Sequence, residues 1–400
     1  MMADGEEPVP EPEIGGPSVD APVQAASITS MPAVSREVAA RIDLIGSPTL
    51  RRVIDRRTAH DDRPGRPTRR PSSSGPRDDP GLRYRPGVSD TFDLLILGDA
   101  NPDLVLTGGV DPSFGQAERL VDAARLTIGG SGAIVATGAS RLGLRVGFCG
   151  VVGDDPFGRF LRDELERVDV DVGGLVVDPD RPTGVTVVLA RTNDRAILTH
   201  AGTIADLRTD LIDPARLELA RHVHVSSFFL QKSLAPELPA LFGRVRAGGA
   251  TTSVDPNWDP SERWDGGLRD LLGHTDVFLP NATEASRIAG IDELDDAVLA
   301  LAERAGVVVT KDGADGALAA HGERLVRAAA PTIDALDTTG AGDAFDAGYL
   351  ASMLAGDPLE RSLAIANACG ALSTRAVGGV DAQPTMDEVL RLLSRGDAGR

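Results

Sequence analysis

Cysteine is almost absent from this 400-residue chain: Cys149 and Cys369 stand far apart, each in apolar company. That excludes a disulfide framework and a zinc site built on Cys spacing, and it suits a reducing compartment. The six His show no metal spacing either, and His200, His222 and His224 read as structural. No run of 18 apolar residues occurs, which excludes a membrane-spanning helix. The amino terminus is acidic and lacks the apolar stretch of a secretory signal, so the expected location is cytoplasmic. Basic residues are outnumbered, with 41 Lys and Arg against 60 Asp and Glu and a net charge of −19. So acidic a chain is not expected to bind nucleic acid or an anionic membrane. Aromatics are few, two Trp and two Tyr among them.

Charge and composition divide the chain unevenly. Residues 1–90 are rich in Pro, Ser, Arg and Asp; their 13 Arg and 14 Asp or Glu sum to −1, leaving −18 for the remainder. Within them, residues 51–85 carry 11 Arg against 5 Asp, a local +6. Such composition cannot bury enough apolar surface to fold, so 1–90 reads as a disordered extension with one short helical pattern at 35–45, the alternative for its Arg-rich stretch being a docking or nucleic-acid arm. A single globular domain is expected over 91–400.

In that domain, short apolar runs bounded by Gly, Pro and Asp recur at 92–98, 146–152, 223–227, 251–255, 276–280 and 306–310. Amphipathic helical patterns lie between them at 132–142, 156–168, 234–247, 283–289 and 294–305, and after 340 the pattern is nearly all helical. Strand-helix alternation predicts a mainly parallel central sheet covered on both faces, a three-layer α/β sandwich. The stretch 183–200 breaks the pattern. It alternates apolar and polar residues around Thr192-Asn193-Asp194, as an antiparallel hairpin does. With 101–110 it is expected to form a small β lid, whose exposed edge suits pairing with a second copy.

Ligands of open α/β sheets sit beyond the carboxyl ends of the strands. Polar clusters fall there: Asp99 to Asp103, 150–158, Asp255-Pro256-Asn257, Asn281 to Glu284, and Thr310-Lys311-Asp312-Gly313. The strongest signal is Asp337-Thr338-Thr339-Gly340-Ala341-Gly342-Asp343, directly before the apolar helical pattern 344–354. A Gly-Ala-Gly turn at a helix start leaves backbone N–H groups unpaired and uncovered, a cradle for a phosphoryl group. Asp343 in the first turn stands where a carboxylate takes the proton of an attacking hydroxyl. A helix-dipole Asp or a tight turn would need the same residues, and the two readings are compatible.

These motifs resemble those of the ribokinase-like carbohydrate kinases, the phosphofructokinase B (PfkB) family, over about 92–395. The 337–343 stretch looks like the family's carboxyl-terminal signature. Gly129-Gly130-Ser131-Gly132-Ala133 with Arg141-Leu142-Gly143 looks like its amino-terminal one, and Asn281-x-x-Glu284 like its Asn-x-x-Glu motif. The resemblance implies a ribokinase-like fold and transfer of the ATP γ-phosphate to a hydroxyl of a small carbohydrate. Asp343 would be the general base, with the amides of Gly340, Ala341 and Gly342 as anion hole. It implies Asp103, Gly129 and Gly130 at the sugar, and Asn281, Thr310, Lys311, Gly313, Gly316, Gly342 and Asn367 at the nucleotide. Glu284 would organise Mg2+ through water, and Asp337 and Thr339 a monovalent cation such as K+. The sequence departs from the family at Ile134, where Asn is usual; losing that amide bears on which sugar is held. Arg191 or Arg195 of the hairpin stand where a substrate cap would. Two further readings remain open at this level: a nucleoside kinase of adenosine type, for which Phe228, Phe229 and Trp258 are the stacking candidates, and an inactive sugar or nucleotide sensor.

Overall fold

The structure, a computed structural model, describes residues 91–191 and 195–397. The extension 1–90 with its helical pattern at 35–45, and the turn at Thr192-Asn193-Asp194, lie outside the described residues.

Strand β1 (Leu94–Leu97) shows why the sheet is covered on both faces. All four of its side chains are sealed; Leu94 and Ile96 join one apolar cluster while Leu95 and Leu97 join the other. Successive residues of a strand point to opposite faces, so a continuous apolar run demands a layer on each side. The first cluster is supplied by α1 (Ser131–Arg141) and, later in the chain, by α8 (Ala341–Leu354) and α9 (Leu359–Ser373). The second takes α4 (Leu238–Ala247), α5 (Leu268–Leu272), α6 (Ala282–Ala289) and α7 (Leu294–Ala302).

The remaining strands of this sheet are β4 (Val146–Gly153), β5 (Asp171–Asp178), β8 (His222–Val225), β9 (Thr251–Val254), β10 (Val277–Phe278), β11 (Val307–Lys311), β12 (Ala317–His321) and β13 (Arg324–Ala328). Between them run α2 (Pro156–Arg167) and α3 (Pro214–Glu218); α10 (Met386–Asp397) closes the described chain. The order is β13-β12-β11-β10-β9-β8-β1-β4-β5, nine strands. Pairing is parallel from β11 through to β5, and antiparallel only at β11–β12 and β12–β13. The expected sandwich is therefore present, with an antiparallel edge that the sequence pattern did not announce. His222 and His224 lie sealed in β8 against Thr251 and Ser253. Burial pushes their imidazoles down to about 3 and about 4, so both are neutral structural groups.

The lid is a second sheet of β2 (Asn101–Thr107), β3 (Ala123–Gly129), β6 (Val185–Ala190) and β7 (Arg195–His200), in the order β3-β2-β6-β7. Two of its pairings are antiparallel; β2 with β6 is parallel, register Asp103 to Thr186. Asn101, Pro102 and Asp103 begin a lid strand, inside the 101–110 segment expected to join the lid. The reason is topological: only Gly98, Asp99 and Ala100 separate β1 from β2, so the chain leaves the main sheet directly into the lid.

Candidate active site

Helix α8 begins at Gly340, whose φ of 70° is left-handed and whose end no side chain caps. A Cβ there would lie 2.8 Å from the Gly379 backbone, so only glycine fits. Of the three amides expected to form an anion hole, that of Ala341 is already spent on the Thr338 carbonyl, at 3.2 Å. The first intrahelical bond is Ala344 N to Gly340 O, 2.8 Å. The amides of Gly342 and Asp343 precede it and have no acceptor within the helix, so both are open at the helix start.

Asp343 is partly buried at this helix start. Desolvation, and next the charge of Asp255, push its carboxyl up to about 8, against the pull of Lys311 and the Ser131 hydroxyl. Asp346, one turn on, is fully sealed although no motif marked it; its only sequence signal is a carboxylate inside an apolar helix, which demands a partner. That partner is Lys311, whose Nζ lies 3.1 Å from both Asp346 oxygens and 2.5 Å from Asp255 Oδ2. Burial works against the ammonium charge, and Asp255, Asp346 and Glu284 together overcome it. The Lys311 ammonium, expected at the phosphates, is thus committed to two buried carboxylates, while its stem lines the cavity beside Gly342.

Asn281 and Glu284 form a reciprocal cap on α6: Asn281 Oδ1 accepts from the Glu284 amide and Glu284 Oε2 from the Asn281 amide, both at 2.9 Å. Glu284 is buried, and desolvation and Asp255 push it up to about 7. A cavity of about 400 Å³ runs along α8 and α9, lined by Lys311, Gly313, Gly316, Ile333, Gly342, Phe345 and Asn367 but not by Asn281. Four of the expected nucleotide residues besides Gly342 thus meet in one apolar slot. Thr310 does not line it and is fully sealed. Asn367 spends its Nδ2 on the Ala328 carbonyl, 2.8 Å away, bracing α9 against β13.

Asp103, on lid strand β2, is buried, 6 % exposed. Desolvation, then the charge of Asp99, raise its carboxyl to about 7. Asn101 Nδ2 donates to Asp103 Oδ1 at 3.1 Å and to Thr186 Oγ1 at 3.0 Å. A Cβ on Gly129 would fall 2.0 Å from the Asp103 carboxylate, which is why glycine stands there. Asp99, also unassigned by any motif, accepts from the Ser131 and Gly132 amides at 3.2 and 3.1 Å and so seats the start of α1. Asn257 Nδ2 donates to Ser131 Oγ and Ser227 Oγ at 3.2 and 3.0 Å. Ile134, at the usual Asn position, is turned into the core under Gly379 and is 4 % exposed. The amide beside Asp103 comes instead from Asn101. The lid arginine Arg195 reaches the main body, donating to Thr339 Oγ1 at 2.8 Å. Arg191 pairs with Asp111. A second cavity, about 1060 Å³, separates lid and body between Thr107, Val188, Arg195, Asp337 and Thr338. Phe228 and Phe229 are core residues packed edge to face, and neither is open to a ligand.

A lid over one end of a doubly covered parallel sheet, facing an uncapped helix start, is the architecture of the ribokinase-like kinases. A fructokinase of Vibrio cholerae O395, solved with fructose, ADP and potassium ion bound, shares it at a TM-score of 0.65 and 28 % identity, over 76 % of this chain and 99 % of that one. The chain belongs to the pfkB family carbohydrate kinases, whose sequence pattern it matches over residues 92–386. It is 35 % identical to a fructokinase of Klebsiella pneumoniae over 321 residues, 75 % of this chain and 99 % of the relative. It is 32 % identical to an ATP-dependent ribose-1-phosphate kinase of Halopiger xanaduensis, over 75 % of this chain and 98 % of the relative. The protein is thus an ATP-dependent carbohydrate kinase, a phosphotransferase with an alcohol acceptor. No helix among the described residues is long and apolar enough to cross a membrane.

Proposed function

We propose that this kinase phosphorylates a hydroxyl of a small uncharged sugar, fructose first among candidates. The observation that carries the reading is the position of Asp343. It stands at the uncapped start of α8, next to Gly342 of the slot lined by Gly313, Gly316 and Asn367, with Ser131 and Asp99 of the acceptor end in reach of its carboxyl. ATP lies in the slot with its γ-phosphate on the Gly342 and Asp343 amides, and Asp103 accepts sugar hydroxyls. Asp343 orients the attacking hydroxyl and takes its proton as the new P–O bond forms; in-line geometry supplies most of the acceleration. The lid excludes water, which limits hydrolysis of ATP.

Carboxylates at the acceptor end favour an uncharged sugar. Asp99 and Asp103 are both buried there, and a sugar phosphate would have to be desolvated against them. The oxygen-only set of Asp255, Glu284, Asp343 and Asp346 around one ammonium fits Mg2+ arriving with ATP. No His, Cys, Asp or Glu group among the described residues is arranged to grip a metal directly. On the family resemblance Glu284 would hold magnesium through water, and the ion when bound would screen the charge between phosphates. Residues 91–400 are the kinase domain on this reading and 1–90 an appended tail, in the cytoplasm. The edge strand β7, with Ile197 and Leu198 exposed, is the surface for pairing with a second copy.

The test is coupled ADP release with Mg-ATP against fructose, ribose, fructose 6-phosphate, 2-keto-3-deoxygluconate and adenosine. Fructose is expected to turn over, and Asp343→Asn to lower kcat by about 10²–10⁴-fold with ATP binding intact. Near-normal turnover in the variant would remove Asp343 from its role. Preference for adenosine or a phosphosugar would replace the acceptor assigned.

A further inference from the structure

The residues to which the resemblance assigns a monovalent cation are already bonded in another way. Asp337 Oδ1 accepts from the Thr339 amide at 2.8 Å and from Thr339 Oγ1 at 2.7 Å, and Oδ2 from the Gly378 amide at 2.9 Å. Thr339 Oγ1 in turn accepts from Arg195 Nη1 at 2.8 Å, which lies 3.5 Å from Asp337 Oδ1. The only positive charge brought to Asp337 by these contacts is a guanidinium, delivered by the first residue of lid strand β7. An ion seated on the same oxygens would have to lose its water and share a single carboxylate with that guanidinium. These side-chain oxygens therefore leave no place for a resident potassium ion while Arg195 is in place.

The position matters for the site. Asp337 is three residues from Gly340, and its bond to Gly378 ties it to the loop whose next residue, Gly379, backs the Gly340 turn. Whatever neutralises Asp337 also holds the start of α8. The charge of the same guanidinium is felt by the Asp103 carboxyl.

We propose that Arg195 is the resident cation of the site at Asp337 and Thr339, so that a lid side chain, in place of a potassium ion, neutralises Asp337 and holds the cradle at the start of α8. Arg195 acts here as a positioning residue, because the groups it touches are Asp337 and Thr339. The consequence for turnover rests on the kinase reading above; the test does not.

Thermal unfolding of the full chain without substrates is compared in KCl, NaCl and tetramethylammonium chloride at one ionic strength. The wild type is expected to unfold at the same temperature in all three. Arg195→Met is expected to unfold higher in KCl than in the other two salts, and Arg195→Lys to keep the wild-type indifference. Arg195→Gln, which keeps a donor for Thr339 without charge, replaces the Met variant if that one does not fold. In the sugar-dependent assay, removing K+ leaves the wild type within about twofold, while Arg195→Met loses at least about tenfold and regains it with KCl. A potassium-specific stabilisation of the wild type, or a neutral variant at 195 that ignores potassium, overturns the proposal. The expected ion pattern in a protein that phosphorylates no sugar would sink the kinase reading and leave this one standing.

Discussion

Lys311 holds the charge balance of the site. Its ammonium is buried with Asp255, Asp346 and Glu284 in reach, and Asp343 feels it too. Removing one partner of a buried pair leaves an uncompensated charge in a medium that solvates it poorly. Lys311→Met is expected to destabilise the fold by about 3–5 kcal/mol. Adding Asp346→Leu should recover a large part of that loss, because the pair is then replaced by apolar atoms. Denaturant unfolding of wild type, single and double variants checks this, and additive losses would show that the two residues do not act together. The Arg195 substitutions belong to the same scale but read a different quantity, an ion preference.

At the scale of elements, β2 and β3 of the lid carry the acceptor end of the site. Asp103 pairs in register with Thr127 and Thr186, and Gly129 ends β3 directly against it. The crossing works only because Gly129 has no side chain. Gly129→Ala puts a methyl 2.0 Å from the Asp103 carboxylate, which must move. The KM for sugar is expected to rise by about tenfold or more, with ATP affinity unchanged, since the nucleotide slot lies on α8, α9 and β11. Steady-state kinetics in both substrates check it; an equal loss for ATP would mean that the lid strands also shape the nucleotide slot. Helix α8 shows the converse economy. One element supplies the amides and the carboxylate proposed as cradle and base, the latter Asp343, and a turn later the buried Asp346, so its position fixes all three.

Across the whole molecule the active site costs stability. Asp103 and Glu284 are pushed up to about 7 and Asp343 to about 8, chiefly by desolvation. The folded protein therefore holds protons that the unfolded chain releases between about pH 4 and pH 8, and its stability falls as pH rises through that window. Thermal unfolding without ligands is expected at a lower temperature at pH 8.5 than at pH 6. Added Mg2+ should narrow the difference where it reaches Glu284, because the ion favours the charged carboxylate. Asp343→Asn should also narrow it, raising stability at pH 8.5 with little effect at pH 6, where Asp343 is already protonated. A higher unfolding temperature at pH 8.5 would contradict the assigned shifts.

The sequence by itself determined the main sheet, the lid hairpin, the helix start at Gly340 and the family. Each rests on local physics: continuous apolar runs for strands sealed on both faces, period-two alternation for the hairpin, and Gly-Ala-Gly for a turn that admits no side chain. The edge strands β5, β12 and β13 were not legible: Gly173 and Gly174 break the apolar run of β5, and an Ala-rich run such as β12 becomes strand only when a neighbouring edge offers its hydrogen bonds. Nor were the partners of the site residues. Lys311 on β11, Asp255 after β9 and Asp346 within α8 are far apart in sequence, and only packing brings them into one buried cluster. The same holds for Asn101 beside Asp103, for Ile134 turned under Gly379, and for Arg195, carried by the lid to Thr339 across 144 residues of chain. Motifs mark where backbone must bend and charge must gather; which side chain neutralises which is decided by long-range packing, where desolvation makes every unpaired charge costly.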